Sequence, residues 1–392
     1  MTFLLHQFIH DSAKRTPDAP ALLFRQDTLS YRMLEEAVNQ VASGLRTLGI
    51  ERDQRVAIYL PKQFETVSAM FGTTAAGGVF VPVNPVLKPE QVGHILRDCS
   101  TRILITSPDR ARLLSDILAE CPDLNHVVLV GSGDAADAHD HGVPTRPWEQ
   151  MLGEPSPPVL KRIDCDMAAI LYTSGSTGRP KGVVLSHRNM MAGAQSVASY
   201  LNNQADDRLL AVLPFSFDYG LSQLTTAFSV GASVVLMDYL LPRDVIRAVA
   251  RYGVTGLAAV PPLWNQLADL PWPEEAVECL RYITNSGGAM PVNTTSQLKS
   301  ALPSTDVYLM YGLTEAFRST FLDPDQVDSR PESMGKAIPN AEIMVVRADG
   351  SECDVDEPGE LVHRGALVAL GYWGDREKTD IRFKPAPGQP EG

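Results

Sequence analysis

Hydrophobic positions along the chain alternate between helical and strand-like spacing from near the first residue onward. Apolar side chains recur every three or four positions over residues 32–48, and Gly49 follows, so the spacing predicts an amphipathic helix with a glycine stop. Short apolar runs, typical of buried strands, alternate with further helical segments. The predicted strands cover residues 55–60, 79–83, 102–106, 126–130, 209–213, 233–237 and 256–260. The predicted helices cover residues 64–76, 89–99, 110–119, 189–200, 221–228 and 244–252.

This alternation predicts an α/β fold with two doubly wound, mainly parallel sheets and helices on both of their faces. Residues 1–158 are expected to form a first βα subdomain that ends in a linker rich in glycine, proline, aspartate and histidine. Residues 159–338 are expected to form a second βα subdomain that carries the binding site. Short predicted strands in residues 339–375 indicate a small β-rich subdomain, and residues 376–392 are predicted to form a tail.

The composition is that of an ordinary globular protein, with 44% hydrophobic and 21% charged residues. A net charge of −13 argues against a nucleic-acid partner, because phosphate backbones favour clustered lysine and arginine. The five cysteines are dispersed without C-x-x-C spacing, which indicates a reducing compartment and neither a disulfide framework nor a zinc site. No signal peptide is recognisable in residues 1–13, and glycines and a proline interrupt the longest apolar segment, residues 67–83. We therefore expect a cytoplasmic protein with no membrane span.

Candidate chemistry is concentrated in a stretch of hydroxyl and glycine residues between two apolar runs. Lys181 follows closely after this stretch, which consists of Thr173, Ser174, Gly175, Ser176, Thr177 and Gly178. Glycine lets backbone N–H groups approach an anion, hydroxyls add donors and the lysine adds a positive charge, so the pattern favours a polyphosphate site. It does not match the Gly-x4-Gly-Lys-Ser/Thr pattern of a Walker loop. The alternative is a flexible turn between two strands, which has no need of the lysine.

A second candidate segment, from Tyr311 through Gly312 to Thr314 and Glu315, directly follows a predicted strand over residues 306–309. The carboxyl ends of strands are where ligands bind in α/β folds. The alternative is a strand-to-helix turn capped by Thr314. A third segment follows the predicted strand over residues 280–284 and could let backbone pass close to a flat base or an acyl chain; it consists of Gly287, Gly288 and Ala289.

Residues 171–182 resemble the phosphate-binding signature of the AMP-forming acyl/aminoacyl adenylate superfamily, which includes acyl-CoA ligases, firefly luciferase and the adenylation domains of peptide synthetases. The segments at Tyr311 and Gly287 resemble that superfamily's adenine-site motifs. The resemblance implies that ATP phosphates bind at Lys181 and the preceding loop. It also implies that Tyr311 stacks on adenine, that Thr314 hydrogen-bonds the α-phosphate, and that Glu315, with Thr173, holds Mg²⁺.

By the same resemblance, a carboxylic acid is activated as acyl-AMP with release of pyrophosphate and is then passed to CoA or to a carrier-protein pantetheine. The resemblance runs from about Leu29 to Trp373, and the superfamily's Thr-Gly-Asp motif, hinge and small C-terminal domain do not follow in this sequence. The chain is thus interpreted as a large N-terminal domain, incomplete for the second step. Two alternatives remain: a non-catalytic ATP-binding scaffold or sensor, and a kinase-type enzyme that would release ADP.

The class of acid depends on Asp218, which follows Phe217 as in amino-acid adenylation domains. A buried carboxylate needs a cationic partner, which could be a substrate amine or Arg318. We expect an amino-acid substrate if Asp218 is free and a simple acyl chain if Arg318 neutralises it. Tyr219 and His187 are further candidates for substrate contacts. For His187 the alternative is a structural role at the start of a helix, which is the commoner case.

Overall fold

A computed structural model of the chain describes residues 3–131, 142–154, 162–173 and 180–385, and the following elements lie within those ranges. The helices are α1 Gln7–Arg15, α2 Tyr31–Thr47, α3 Phe64–Ala76, α4 Pro89–Asp98, α5 Pro108–Leu113, α6 Ser115–Ala119, α7 Trp148–Met151, α8 His187–Tyr200, α9 Asp218–Val230, α10 Pro242–Tyr252, α11 Pro261–Ala268, α12 Glu274–Cys279, α13 Val292–Ala301 and α14 Arg376–Arg382. The strands are β1 Pro20–Phe24, β2 Asp27–Ser30, β3 Arg55–Tyr59, β4 Val79–Pro82, β5 Thr101–Thr106, β6 His126–Leu129, β7 Thr145–Pro147, β8 Met167–Thr173, β9 Lys181–Ser186, β10 Arg208–Ala211, β11 Ser233–Leu236, β12 Gly256–Ala259, β13 Tyr282–Asn285, β14 Asp306–Tyr311, β15 Thr320–Leu322, β16 Lys336–Ala337, β17 Ala341–Val346, β18 Glu360–Gly365 and β19 Gly371–Tyr372.

The strands form two large sheets and one small one. The eight-stranded sheet has the order β19-β9-β8-β4-β3-β5-β6-β7, and the nine-stranded sheet has the order β16-β15-β14-β13-β12-β10-β11-β1-β2. Their central strands are parallel and are joined by helical crossovers, whereas the strands at one or both edges are antiparallel. Strands β17 and β18 form a separate antiparallel pair. The predicted α/β fold with mainly parallel sheets is therefore confirmed.

The predicted subdomains would require the strands before residue 158 to form one sheet and those after it to form the other. The two large sheets do not divide the chain in this way. Strands β1 and β2, from the N-terminal part of the chain, lie at the edge of the nine-stranded sheet beside β11. Strands β8 and β9, from beyond the predicted boundary, belong to the eight-stranded sheet. Hydrophobic periodicity identifies a strand but not the strand it pairs with, so the exchange of strands between sheets could not be read from it.

The segment predicted as a tail begins with a helix, because α14 covers Arg376–Arg382. The Asp375 side chain accepts a hydrogen bond of 3.0 Å from the Lys378 N–H and so caps the first turn of this helix. The helix predicted over residues 110–119 is also different, since it consists of the two short helices α5 and α6 with Leu114 between them.

One hydrophobic core connects the two large sheets, because apolar side chains of both sheets, such as Val56 of β3 and Leu210 of β10, belong to the same buried cluster. Helix α3 is buried at every position from Thr66 to Ala75, and α9 is buried from Tyr219 to Phe228. A helix that is apolar and buried all round belongs inside the protein rather than on its surface. Among the described helices, none is long and apolar enough to span a lipid bilayer.

Candidate active site

The predicted phosphate loop connects two antiparallel strands at one end of the eight-stranded sheet. Strands β8 and β9 pair so that Thr173 and Lys181 are direct cross-strand neighbours. The fold thus places the hydroxyl that begins the loop opposite the lysine that follows it. The remaining predicted loop residues lie outside the described ranges; they are Ser174, Gly175, Ser176, Thr177 and Gly178. Their role in phosphate binding stays a prediction.

Lys181 and Glu315 meet through a third residue, Tyr372. The Tyr372 hydroxyl donates a hydrogen bond of 2.7 Å to Oε1 of Glu315. Lys181 Nζ lies 5.3 Å from the centroid of the Tyr372 ring, within the range of a cation–π contact. Burial, followed by the hydrogen bond and the charge of Glu315, raises the pKa of Tyr372 to about 12, so that the phenol stays a donor at neutral pH.

The two predicted adenine-site segments lie at the same edge of the nine-stranded sheet. Strands β13 and β14 are adjacent and parallel, with Asn285 opposite Leu309. Gly287, Gly288 and Ala289 are exposed just beyond the carboxyl end of β13, while Tyr311 ends β14. Because the carboxyl ends of parallel strands meet at one edge, a flat ligand there could contact both segments.

Gly312 makes the tight turn after β14 possible. A Cβ atom added at this position would lie 2.9 Å from the Cα of Arg318, closer than real side chains approach backbone. The chain can therefore fold back on itself directly after Tyr311, whose carbonyl accepts a hydrogen bond of 2.9 Å from the Ser319 N–H. This turn places Thr314, Glu315 and Arg318 in one compact segment. The turn alone thus explains a glycine at this position, and the predicted contact of Gly312 with the nucleotide stays a prediction.

A cavity of about 450 Å³ opens beside this segment. Its lining includes Tyr311, Glu315, His363 of β18 and Phe383. Its volume is within the range of small-molecule sites. The cavity therefore brings together the residues predicted to contact adenine and magnesium.

Asp218, at the start of α9, pairs with Arg318. Arg318 NH1 lies 3.2 Å from Asp218 Oδ2, and the Thr314 hydroxyl donates a bond of 3.1 Å to Asp218 Oδ1. The side chains of Arg318 and Asp218 are 2% and 13% exposed, so the pair is almost excluded from water. Arg318 therefore supplies the cationic partner that a buried carboxylate requires. Thr314 is attached to this pair through its hydroxyl. Its contact with the α-phosphate stays a prediction.

Tyr219 supports the ion pair rather than lining an open pocket. The guanidinium carbon of Arg318 lies 4.4 Å from the Tyr219 ring centroid, and the Tyr219 hydroxyl donates a bond of 2.8 Å to the Thr284 carbonyl. Burial raises the pKa of Tyr219 above its usual range. Trp264 of α11 is fully buried and donates its Nε1–H to the Ala259 carbonyl at 3.0 Å, which is the behaviour of a core residue.

His187, a candidate for a substrate contact, lies elsewhere. It is 1% exposed at the first position of α8, and its Nδ1 accepts a hydrogen bond of 3.1 Å from the Leu5 N–H. The ring of His6 packs edge-on against it with the centroids 6.4 Å apart. His187 therefore attaches the N-terminal segment to α8, which favours the structural interpretation of a histidine at the start of a helix, and its predicted contact with substrate stays a prediction.

The carboxylate of Glu315 fits the requirements of Mg²⁺. Mg²⁺ is usually held by one or two protein carboxylates together with water and substrate phosphates. Glu315 is half-buried at the cavity wall, and no group of three or more acidic, histidine or cysteine side chains suited to a metal is found in the described ranges. A single carboxylate of this kind suits a metal that arrives with a polyphosphate. Thr173, across from Lys181, stays a predicted second ligand.

Tyr372 is the site residue that sequence reasoning does not identify. The segment Gly371-Tyr372-Trp373 lies at the end of the resemblance to the superfamily, which implies no role for any of its side chains. The signal that could have pointed to such a residue is Glu315 itself, since a half-buried carboxylate requires a hydrogen-bond donor. No spacing rule links Glu315 to a donor 57 residues further along the chain.

Comparison with known proteins points to one family. A family model described as AMP-binding enzyme matches residues 9–373 of the chain. Bacitracin synthase 3 of Bacillus licheniformis is 28% identical over 388 residues, which cover 98% of this chain. The chain spans only 6% of the length of that relative.

Two solved structures share both fold and detectable sequence identity with the chain. The complex of VinN with L-aspartate is 28% identical, has a TM-score of 0.82, and is aligned over 96% of this chain and 92% of VinN. The anthranilate CoA ligase AuaEII in complex with anthranoyl-AMP is 25% identical, has a TM-score of 0.88, and is aligned over 98% of this chain and 74% of the ligase. The two-sheet architecture of the chain is therefore shared with both of these solved structures.

Proposed function

Because the chain belongs to the AMP-binding enzyme family, we propose that it activates a carboxylic acid with ATP. The acid carboxylate attacks the α-phosphorus, the bond to pyrophosphate breaks, and a mixed anhydride of the acid with AMP forms. The thiol of CoA or of a carrier-protein pantetheine then attacks the acyl carbonyl, the bond to AMP breaks, and a thioester forms with release of AMP. The observation that carries the proposal is the convergence of Lys181 and Glu315, from different sheets, on Tyr372.

The geometry is suited to this reaction because charge develops on the phosphates as the leaving group departs. Preorganised cations and N–H or O–H donors stabilise such charge most effectively where water is limited. Lys181 supplies a mobile cation at the base of the loop, and Tyr311 supplies a ring at the adenine side. Mg²⁺, when bound with the nucleotide, would neutralise phosphate charge that Glu315 alone would repel.

ATP–pyrophosphate exchange tests this function directly. Lys181→Ala and Glu315→Gln are each expected to reduce the exchange rate about 10²- to 10³-fold, the usual cost of removing a group that stabilises transition-state charge. Lys299→Ala is the matched control, because the Lys299 ammonium pairs with Asp328 at 2.6 Å on the surface. Full exchange in the two site variants would refute the proposed roles. ATP binding without any exchange would favour the non-catalytic scaffold, and ADP as product would indicate kinase-type transfer.

The same assay addresses the class of acid. Both oxygens of Asp218 already accept hydrogen bonds, one from Thr314 and one from Arg318, so its charge is neutralised within the protein. This supports an acid that carries no free ammonium group, in contrast to the L-aspartate bound by VinN. Matched pairs such as 3-phenylpropanoate and phenylalanine should show more exchange for the acid without the amine. Asp218→Asn should leave this preference unchanged, and a consistent preference for amino acids in the unmodified protein would overturn the assignment.

A further inference from the structure

The two side chains with the strongest predicted roles in adenylation are attached to different sheets. Glu315 follows β14 of the nine-stranded sheet, whereas Lys181 begins β9 of the eight-stranded sheet. Neither sheet by itself determines the distance between them. A direct contact between the two sheets has to fix this distance for the carboxylate and the ammonium to act on one ligand.

The connecting element is β19 with the residues just before it. Gly371 and Tyr372 pair with Val184 and Val183 of β9, and the Trp373 N–H donates a bond of 2.7 Å to the Gly182 carbonyl. This short strand therefore lies directly beside the start of β9, where Lys181 is located.

The same segment also holds Glu315 at two points. The Ala369 N–H donates a hydrogen bond of 2.8 Å to the backbone carbonyl of Glu315. Three residues later, the Tyr372 hydroxyl bonds to the Glu315 carboxylate at 2.7 Å. Within the described ranges, Tyr372 is the one hydrogen-bond donor to this carboxylate. Backbone and side chain of Glu315 are thus both attached to the strand that pairs with β9.

The position of Tyr372 is itself well determined. Its N–H donates a bond of 2.9 Å to Thr379 Oγ1 of α14, and the ring of Phe383 packs edge-on against it with the centroids 5.5 Å apart. A Cβ atom at Gly371 would lie 2.5 Å from Thr379 Cγ2, so the glycine allows α14 to pack tightly against β19. Helix α14 and Phe383, which follows it, therefore fix the position of the tyrosine.

We propose that Tyr372 is a positioning residue for adenylation, whose hydroxyl orients the Glu315 carboxylate toward the nucleotide-bound cation and whose ring supports Lys181. Its oxygen takes up only Oε1 of Glu315 and leaves Oε2 for the cation. Two functions thus reside in separable parts of one side chain. The hydroxyl affects the metal-dependent part of nucleotide binding, and the ring affects the part that depends on Lys181. This inference rests on the proposed function, because it assumes that ATP binds at this site with Mg²⁺.

Titration calorimetry with ATP, once with saturating Mg²⁺ and once with EDTA, measures the two parts separately. Tyr372→Phe removes the hydroxyl and keeps the ring, so it should reduce the enhancement of ATP affinity by Mg²⁺ about tenfold, as expected for a hydrogen bond to a charged group. Affinity in EDTA should stay within about twofold of the unmodified protein. Tyr372→Leu, which also removes the ring, should weaken ATP binding in EDTA as well.

Two further variants make the outcome specific. Tyr59→Phe is the control, because it removes a hydroxyl at the end of β3 that donates a bond of 3.0 Å to the Leu87 carbonyl. It should leave both affinities unchanged. In a Glu315→Gln background, Tyr372→Phe should have no additional effect on the Mg²⁺ enhancement. Unchanged enhancement in a folded Tyr372→Phe variant would overturn the positioning role. An unmodified protein whose ATP affinity does not respond to Mg²⁺ at all would instead contradict the proposed function.

Discussion

The first residues of α8 and α9 offer a direct comparison, because each is a polar side chain that sequence reasoning connects with substrate. His187 begins α8 and Asp218 begins α9, and the two helices pack against each other. His187 accepts a hydrogen bond from the N-terminal segment and is enclosed by protein. Asp218 faces the turn after β14 and bonds to Thr314 and Arg318.

The difference shows that a polar group at the start of a helix does not by itself indicate a site. Both positions are favourable places for a polar side chain, because the first turn of a helix has unpaired N–H groups. What separates them is the neighbouring element: Leu5 and His6 contact His187 at the start of α8, whereas the turn after β14 contacts Asp218 at the start of α9. The comparison can be tested on each side.

The largest effect is expected from removing the cation at the α9 side. Arg318→Met leaves Asp218 as an unpaired, nearly buried carboxylate, which should lower the free energy of unfolding by about 3–5 kcal/mol. Urea denaturation measures this change. Arg364→Met is the control, because its pair with Glu342 is more than half exposed and should contribute about 0–1 kcal/mol.

A double variant distinguishes loss of charge balance from loss of packing in that experiment. Replacing Asp218 by leucine in the Arg318→Met protein removes the unpaired charge, so most of the lost stability should return. If the double variant stays as unstable as the single one, the cost of Arg318→Met arises from its packing against Tyr219 and not from the ion pair.

A smaller effect is expected at the α8 side. His187→Leu leaves the buried Leu5 N–H without its acceptor, which should cost about 1–3 kcal/mol in the free energy of unfolding. His187→Gln, which can accept the same bond, should recover part of this loss. The exchange rate per folded molecule should be unaffected by either change, and a strong loss of exchange would make His187 a candidate for a substrate contact again.

The most gradual effect concerns pH, because it accumulates over several pH units. Burial first, and then the charge of neighbouring groups, lowers the pKa of His187 to about 4 and that of His6 to about 3, from the ordinary 6.5. The unfolded chain therefore binds more protons than the folded chain below about pH 6.5. Stability should be fully present above that pH and fall as the pH drops toward 4, by about 1.4 kcal/mol per pH unit for each histidine.

The measurement is denaturation at a series of pH values for the unmodified protein and for His6→Leu. The variant should lose the part of the slope that one histidine contributes between pH 6.5 and 4. An identical slope in the two proteins would mean that His6 is protonated without cost in the folded state.

Much of the secondary structure and half of the site could be predicted from local pattern. The bounds predicted for α3 agree with the structure, and β5, β11 and α8 differ by one or two residues at their ends. Periodicity succeeds for these elements because each of them buries one face or all of its surface. The segment from Tyr311 to Glu315 could likewise be placed at a sheet edge, since it follows a buried strand.

The pairing of distant segments could not be predicted in the same way. The sequence contains β1, β8 and β19, but nothing local indicates that β1 pairs with β11 or that β19 pairs with β9. For the same reason, local pattern leaves the partner of Asp218 open between a substrate amine and Arg318. Each of these questions depends on contacts between residues far apart in the chain, and only packing of the whole core decides them.

The sequence by itself therefore determined the kinds of element, the sheet edge at which the candidate site lies and the membership of a family, because these depend on local periodicity and on the chemistry of short motifs. The tertiary structure alone decided that Arg318 neutralises Asp218, that His187 is enclosed, and that Tyr372 joins Lys181 to Glu315. The physical reason is that charge balance, burial and hydrogen bonding depend on distances in space. A chain of two interleaved sheets brings together residues that no sequence interval relates.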